Sequence, residues 1–449
     1  TNGLECFTQV EAYFKNRVMD LLDDVISLTG HSQYEAYAGE WGAKCIGIEV
    51  GENIANTQTK FAFARGGSFQ WQVPWSVQMS PWFSGYLTTA SNLEYGHSLS
   101  LETRMWLHAW FAGASMVTPE ANIGYFFENP TPPWTLTSYG EVASKTFSFM
   151  KTHERGSAYF PVAIVIDHLT GYYSVYYNSS VYLPWDILSI TSGYQQIVDL
   201  FTYQLFPNCN VQPGDNPEQY YLTSTPYGEI FNVHLSNAYP QTLATYPVLL
   251  LAGDLTFDDS FIQALQYALS QGSLVLMSTA QQAALGQAAF NSLSQYGTIE
   301  ILENWVNPVT GRSTAISNAR LAQLTAEVLP FAISGDSIQY GLNRTSDGWL
   351  LELINNNGVT KFPSTAAVID PTAIATVKVQ CQLPAWTATE LFSGIFHNSA
   401  VNFNVHVGPG EVEYVHFQYY NGLYDIRRIN PFSNLETYSA TITLQQAGL

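Results

Sequence analysis

Apolar and polar positions in the first 155 residues alternate between two periods. Over 45 to 53, Cys-Ile-Gly-Ile-Glu-Val-Gly-Glu-Asn, the period is two. Ile46, Ile48 and Val50 share one face of a strand, while Cys45, Gly47 and Glu49 share the other. Helices are predicted over roughly 6 to 28, 57 to 69 and 138 to 153. Another carries Leu99, Trp106, Ala109, Trp110 and Gly113, whose later members recur at three- and four-residue steps. Strands are predicted at 76 to 80 and at Met116-Val-Thr-Pro-Glu120. Repeated helix and strand builds parallel sheets.

Residues 156 to 330 begin the pattern afresh. Val162 to Asp167 is a near-continuous apolar strand, as expected where both sheet faces are covered. Further strands are predicted at 230 to 235, 247 to 252 and 273 to 277. A helix over 258 to 270 places Phe261, Leu265, Ala268 and Leu269 on one face, with Gly272 just beyond it. From about Ser337 the texture changes to short alternating runs broken by Asn-Asn-Asn-Gly, Asp-Pro and Gly-Pro-Gly, which fits a β-sandwich.

At 449 residues two or three domains are expected. The formal charge of -20 repels phosphate backbones and anionic membrane surfaces, so nucleic acid is excluded as a partner. No apolar run approaches the ~20 residues that span a bilayer. Only 12% of residues are charged, so something other than charge covers the surface: neutral sugars on aromatic faces, glycans, or neighbouring subunits. Cys6, Cys45, Cys209 and Cys381 are too scattered for a zinc site and permit two disulfides in three connectivities. Asn178 and Asn343 head glycosylation sequons. A chain that starts at Thr1 suggests a processed mature product or a truncated one, and together these features suggest an extracellular protein. No histidine pair has metal-ligand spacing, and no Gly-x-Ser-x-Gly elbow or Gly-x-Gly-x-x-Gly loop is present, so neither metal nor cofactor is expected. Gly253-Asp254, Asp258 and Asp259 suggest a cation site, although Asp258 is more simply a helix cap.

The Ile-Gly-Ile-Glu-Val-Gly-Glu-Asn strand, Gly113-Ala-Ser-Met-Val-Thr-Pro-Glu120, the apolar Val162 to Asp167 strand, Gly348-Trp-Leu-Leu-Glu-Leu-Ile-Asn-Asn-Asn-Gly358 and Gly408-Pro-Gly-Glu-Val412 follow one another in an informative order. In this order the chain resembles barrel-type glycoside hydrolases, in particular relatives of the family 42 β-galactosidases. The resemblance implies an α/β chain with a partial (β/α)8-type barrel over 1–155. A flavodoxin-like open parallel sheet domain over 156–330 and an antiparallel β-sandwich over 337–420 follow. The tail, 421–449, adds a solitary strand at 436 to 445. A complete barrel needs about 250 residues, so its front is missing. The resemblance places the acid/base on the fourth strand and the nucleophile on the seventh, and this chain then holds at most one of them.

Barrel chemistry sits at the carboxyl ends of strands, and glycoside hydrolysis needs two carboxyl groups. Glu49, Glu52 and Glu120 are the acidic residues at predicted strand ends and the catalytic candidates. Against these roles, Glu49 also suits a structural hydrogen-bond network, and Glu52 a helix amino terminus. Sugar sites also need flat apolar platforms and neutral polar groups. Trp82, Trp75 and Gln78 bracket or line the second strand, and Asn53 and His97 lie in loops that reach hydroxyls. Trp82 equally suits the core of a loop layer, and His97 a packing role. Three readings follow. One is a hydrolase acting on a neutral sugar. The second is a non-catalytic extracellular protein assembling into an oligomer or filament, or completing its barrel with a second chain. The third is a lectin-like binder.

Overall fold

The computed structural model describes residues 2–17, 26–27, 33–51, 57–83, 86–120, 123–172, 183–207, 218, 221–382, 386–398, 402–419, 424–425 and 441–442. The first unit runs α1 (Gly3–Arg17), β1 (Ile26–Ser27), α2 (Gln33–Glu40), β2 (Ile46–Val50), α3 (Thr57–Trp71), β3 (Trp75–Met79), α4 (Leu99–Phe111), β4 (Met116–Pro119) and α5 (Ser138–Thr152). Its strands form a parallel sheet in the order β1-β2-β3-β4, which among the described residues stays open. The helix expected over 6 to 28 ends sooner, because Ile26–Ser27 pairs with Ile46 and Gly47 at the sheet edge.

The second unit is a five-stranded parallel sheet. Its strands are β5 (Val162–Ile166), β6 (Phe231–Leu235), β7 (Val248–Leu251), β8 (Leu274–Ser278) and β9 (Ile299–Leu302), in the order β9-β8-β7-β5-β6. Read from the β6 edge this is the 2-1-3-4-5 order of flavodoxin-like folds. The helix Asp259–Ser270 covers one face, and Asp258 accepts the Phe261 N–H at 2.8 Å. Asp258 is therefore its N-cap, as the bland reading had it.

The third unit packs an antiparallel sheet of Phe331–Gly335, Ala375–Cys381 and Asn402–Val407 against a larger one. The larger sheet is built on Gln339–Arg344, Gly348–Ile354, Val412–Tyr419 and Trp386–Glu390. Phe331–Gly335 lies ahead of the expected start at 337. Ser157–Ala158, between the first two units, pairs with Asn343 and Arg344 and so ties the chain's middle to the sandwich. In the tail, Tyr424–Asp425 pairs antiparallel with Thr441–Ile442. The described part of the predicted tail strand is thus paired within its own chain.

Two helices hold the units together. Helix α3 is buried on nearly every side, which explains its lack of an apolar stripe. On one side Phe61 and Ala64 pack under β2 and β3. On the other, α3 covers the open edge of β6: Arg65 donates from Nη2 to the Phe231 carbonyl at 3.0 Å, and Leu235 N–H donates to Gln70 at 3.1 Å. An edge strand's unpaired backbone groups are thereby satisfied. The approach is so close that a Cβ on Gly66 would sit 1.7 Å from the Val233 oxygen. Helix α4 likewise lies between the first sheet, through Leu101, Met105 and Trp106, and the sandwich, through Leu107 and Phe111. No helix among the described residues is long and apolar enough to cross a membrane.

Candidate functional site

Alternation along the first sheet separates an apolar face from a polar one. Ile46, Ile48, Val50, Trp75, Val77 and Met79 face α3 and α4. On the opposite face the register sets Glu49 beside Gln78 and Gln78 beside Thr118, a polar row across three strands. One pleat further toward the carboxyl ends stand Ser80 and Glu120. Ser80, fully buried, donates from Oγ to Glu120 Oε2 at 3.0 Å, and the Trp82 N–H donates to Ser80 Oγ at 3.3 Å. Glu120 itself is exposed, whereas Glu49 is only 8% exposed. Strand spacing and rise put the Cα atoms of Glu49 and Glu120 about 12 Å apart.

The head of β2 is fixed from behind. Gly51 turns the chain at φ 100°, a backbone conformation that favours glycine. Its carbonyl accepts a hydrogen bond from His97 Nε2. The His97 ring stacks on Phe83 at 4.4 Å, and Nδ1 lies 3.6 Å from Glu218 Oε2. Glu218 also accepts the Ser98 N–H at 2.7 Å and the Ser98 hydroxyl. Burial alone would raise the Glu218 pKa, but His97, Ser98 and Arg104 outweigh it and hold the carboxyl below its ordinary value.

Several sequence expectations change at this point. His97 is 3% exposed and braces a strand end. Trp75 offers no platform: it stands at the amino end of β3 on the helix-facing side, edge-on to Phe61 at 5.3 Å. Gln78 does lie on the polar face, half-buried, and Trp82 is 36% exposed in a hairpin just beyond it. Glu52, Asn53 and Asn178 lie outside the described residues. Asn343 is fully buried, and its Nδ2 donates to the carbonyls of Phe111 at 2.8 Å and Arg155 at 2.9 Å. A glycan on that nitrogen is incompatible with this fold. No disulfide links Cys6, Cys45 and Cys381, which are all buried. Two bridges among four cysteines would need at least one pair within those three, so the two-disulfide expectation fails. Asp254 accepts the Thr191 hydroxyl at 2.7 Å and Asp167 accepts the Thr256 N–H at 2.8 Å. Among the described residues no cluster of three His, Cys, Asp or Glu side chains is placed to hold a metal ion.

A buried polar cluster escaped the sequence reading. His108 of α4 lies between Glu229 Oε2, 3.0 Å from Nε2, and Glu352 Oε2, 2.8 Å from Nδ1. A signal was present: Glu352 interrupts the apolar run Trp-Leu-Leu-Glu-Leu-Ile, and an uncompensated charge in a buried strand demands a partner. Its partner, 244 residues away in sequence, has no local signature.

No family model matches the chain, and no curated protein sequence matches it. Among solved structures it is similar to the apo exo-carrageenase GH42 from Bacteroides ovatus, at 10% identity and a TM-score of 0.49, over 92% of this chain and 55% of that one. The α-L-fucosidase isoenzyme 2 from Paenibacillus thiaminolyticus gives 11% identity and a TM-score of 0.49, over 92% and 70%. The rhamnosidase from Novosphingobium sp. PP1Y gives 10% and 0.43, over 88% of this chain and 34% of that one. The chain thus spans about a third of the rhamnosidase and about half of the exo-carrageenase. These similar structures are glycoside hydrolases, the class its motifs resemble, at a likeness too distant to carry an argument about activity or substrate.

Proposed function

We propose that this chain takes a neutral sugar on the polar face of its first sheet and acts there as a glycoside hydrolase-like protein. Glu49 and Glu120 are its working carboxylates. The observation that carries the proposal is the row Glu49, Gln78 and Thr118, continued by Ser80 and Glu120 at the carboxyl ends of parallel strands. Neutral hydrogen-bonding groups between two carboxylates suit hydroxyls, and Trp82 beside them supplies a flat apolar surface. A panel of chromogenic glycosides tests it, with Glu49→Gln and Glu120→Gln as controls. Turnover lost by either variant, with sugar affinity retained, supports hydrolysis; binding without turnover in any protein reduces the role to that of a lectin. No binding to any neutral sugar removes the proposal.

A second reading, a non-catalytic extracellular protein that self-assembles, is favoured by β4. Among the described residues this strand pairs only with β3, and Met116 on its polar side is 44% exposed. Either another copy or a second chain that completes the barrel suits such an edge. A concentration-dependent mass by light scattering, with β4 amides protected only in the assembly, supports it; a monomer at all concentrations removes it. The extracellular location belongs to the same proposal and is checked by mass spectrometry for a glycan at Asn178 in protein from its native source.

A further inference from the structure

We propose that His108 is a charged clasp that joins the three units into one body. Its imidazolium is held between the carboxylates of Glu229 and Glu352, and the units lose their docking when the ring gives up its second proton. The three groups come from three places: His108 from α4 of the first unit, Glu229 from the segment entering β6 of the second, and Glu352 from Gly348–Ile354 of the sandwich. Both ring nitrogens face carboxylate oxygens, at 3.0 and 2.8 Å, and the residue is 1% exposed. A neutral imidazole has one N–H. It would point a lone pair at a carboxylate in a site closed to water.

The other oxygen of each carboxylate is hydrogen-bonded by neighbouring side chains, and Gln339 Nε2 also lies 3.3 Å from His108 Nε2. Gln58 of α3 and Gln339 of the sandwich each donate to Glu229 Oε1 at 2.6 Å. Tyr414 donates to Glu352 Oε1 at 3.0 Å. The Phe61 ring lies parallel to the imidazole at 5.2 Å. Two further cations face the cluster. Arg65 of α3 adds positive charge beside Glu229, and Arg104, one turn before His108, donates to Asn356, which donates to Gln339 Oε1 at 2.7 Å. Charged hydrogen bonds thus run unbroken from α4 through the second unit to the sandwich. Burial by itself would lower the His108 pKa, but Glu229 and Glu352 outweigh it and push it up to about 10. The sign follows from linkage. A histidine whose pKa is raised on folding contributes its full stability below about 6.5 and loses it as pH climbs through about 10.

The test uses the full chain labelled with 15N-histidine, the His108 signal being the one absent from His108→Gln. The ring is expected to be doubly protonated at pH 8. Its deprotonation is expected to coincide with a rise in the radius of gyration and a fall in the thermal midpoint. Glu352→Gln supplies the control. With one carboxylate gone, ring deprotonation and the alkaline fall in midpoint both move down by about 1–3 pH units. A neutral ring at pH 8 in the parent protein overturns the proposal. So does an alkaline limb left in place by Glu352→Gln, or a radius unchanged through ring deprotonation. Should His108→Gln fail to fold, Glu229→Gln shifts the same ring signal and assigns it.

Discussion

Single residues do their work here through the partner that the fold hands them. Ser80 has no chemistry of its own to recommend it, yet it is buried and holds one oxygen of Glu120 in place. Ser80→Ala removes a hydrogen bond to a charged group, a loss of about 1.5 kcal/mol, and the acceptor of the Trp82 N–H with it. Isothermal titration with the sugar that binds best is expected to show affinity reduced about tenfold, with a small fall in the thermal midpoint. Two histidines show how far context decides. His108 is charged because carboxylates bracket it, whereas His234, fully buried, accepts the Tyr246 hydroxyl at 2.8 Å, and burial lowers its pKa to about 3. His234 is therefore neutral in the fold. An unfolded chain takes up a proton there below about pH 6.5, so its contribution to stability is lost as pH falls from 6.5 toward 3. His234→Asn is expected to flatten the acid limb of a plot of thermal midpoint against pH.

At the scale of elements, helix α3 is the piece on which the arrangement turns. It lies against one sheet with Phe61 and closes the edge of another with Arg65, Gly66 and Gln70. In an exposed helix Gly→Ala stabilises, by roughly 0.5–1 kcal/mol. At Gly66 the sign reverses, because the new methyl meets the Val233 carbonyl at 1.7 Å. Gly66→Ala is expected to cost several kcal/mol, beyond about 3, read as a fall in urea midpoint; an unchanged midpoint refutes the close approach. Asp258→Ala is the modest counterpart. It removes one cap from a helix of 12 residues and is expected to cost about 1 kcal/mol by the same measurement.

For the whole molecule, Cys6 and Cys45 contribute through burial rather than through covalent bridges. Cys6 and Cys45 are buried free thiols, so Cys6→Ser with Cys45→Ser is expected to leave unchanged the response of the thermal midpoint to reductant. A reductant effect that disappears in the double variant refutes this. The acid limb from His234 and the alkaline limb from His108 together place maximal stability near neutral pH.

The sequence by itself determined the elements of this protein and their order. Alternation at Ile46 to Val50 and the apolar run at Val162 to Ile166 specify strands, and their flanking helices specify parallel pairing, because these are short-range consequences of side-chain period and burial. Alternation also put Glu49 opposite Ile48 and Val50, and Gln78 opposite Val77 and Met79, within their strands, but only the strand register brought Glu49, Gln78 and Thr118 onto one face. Tertiary structure alone decided which polar residues are structural. Whether His97 meets a sugar or a strand end, whether Trp75 is a platform or core, and whether Asn343 is open to a glycan all depend on what packs above them. So does the charge on His108, since Glu229 and Glu352 lie more than a hundred residues away along the chain. Such pairings are set by how the units dock, and docking leaves no local period to read.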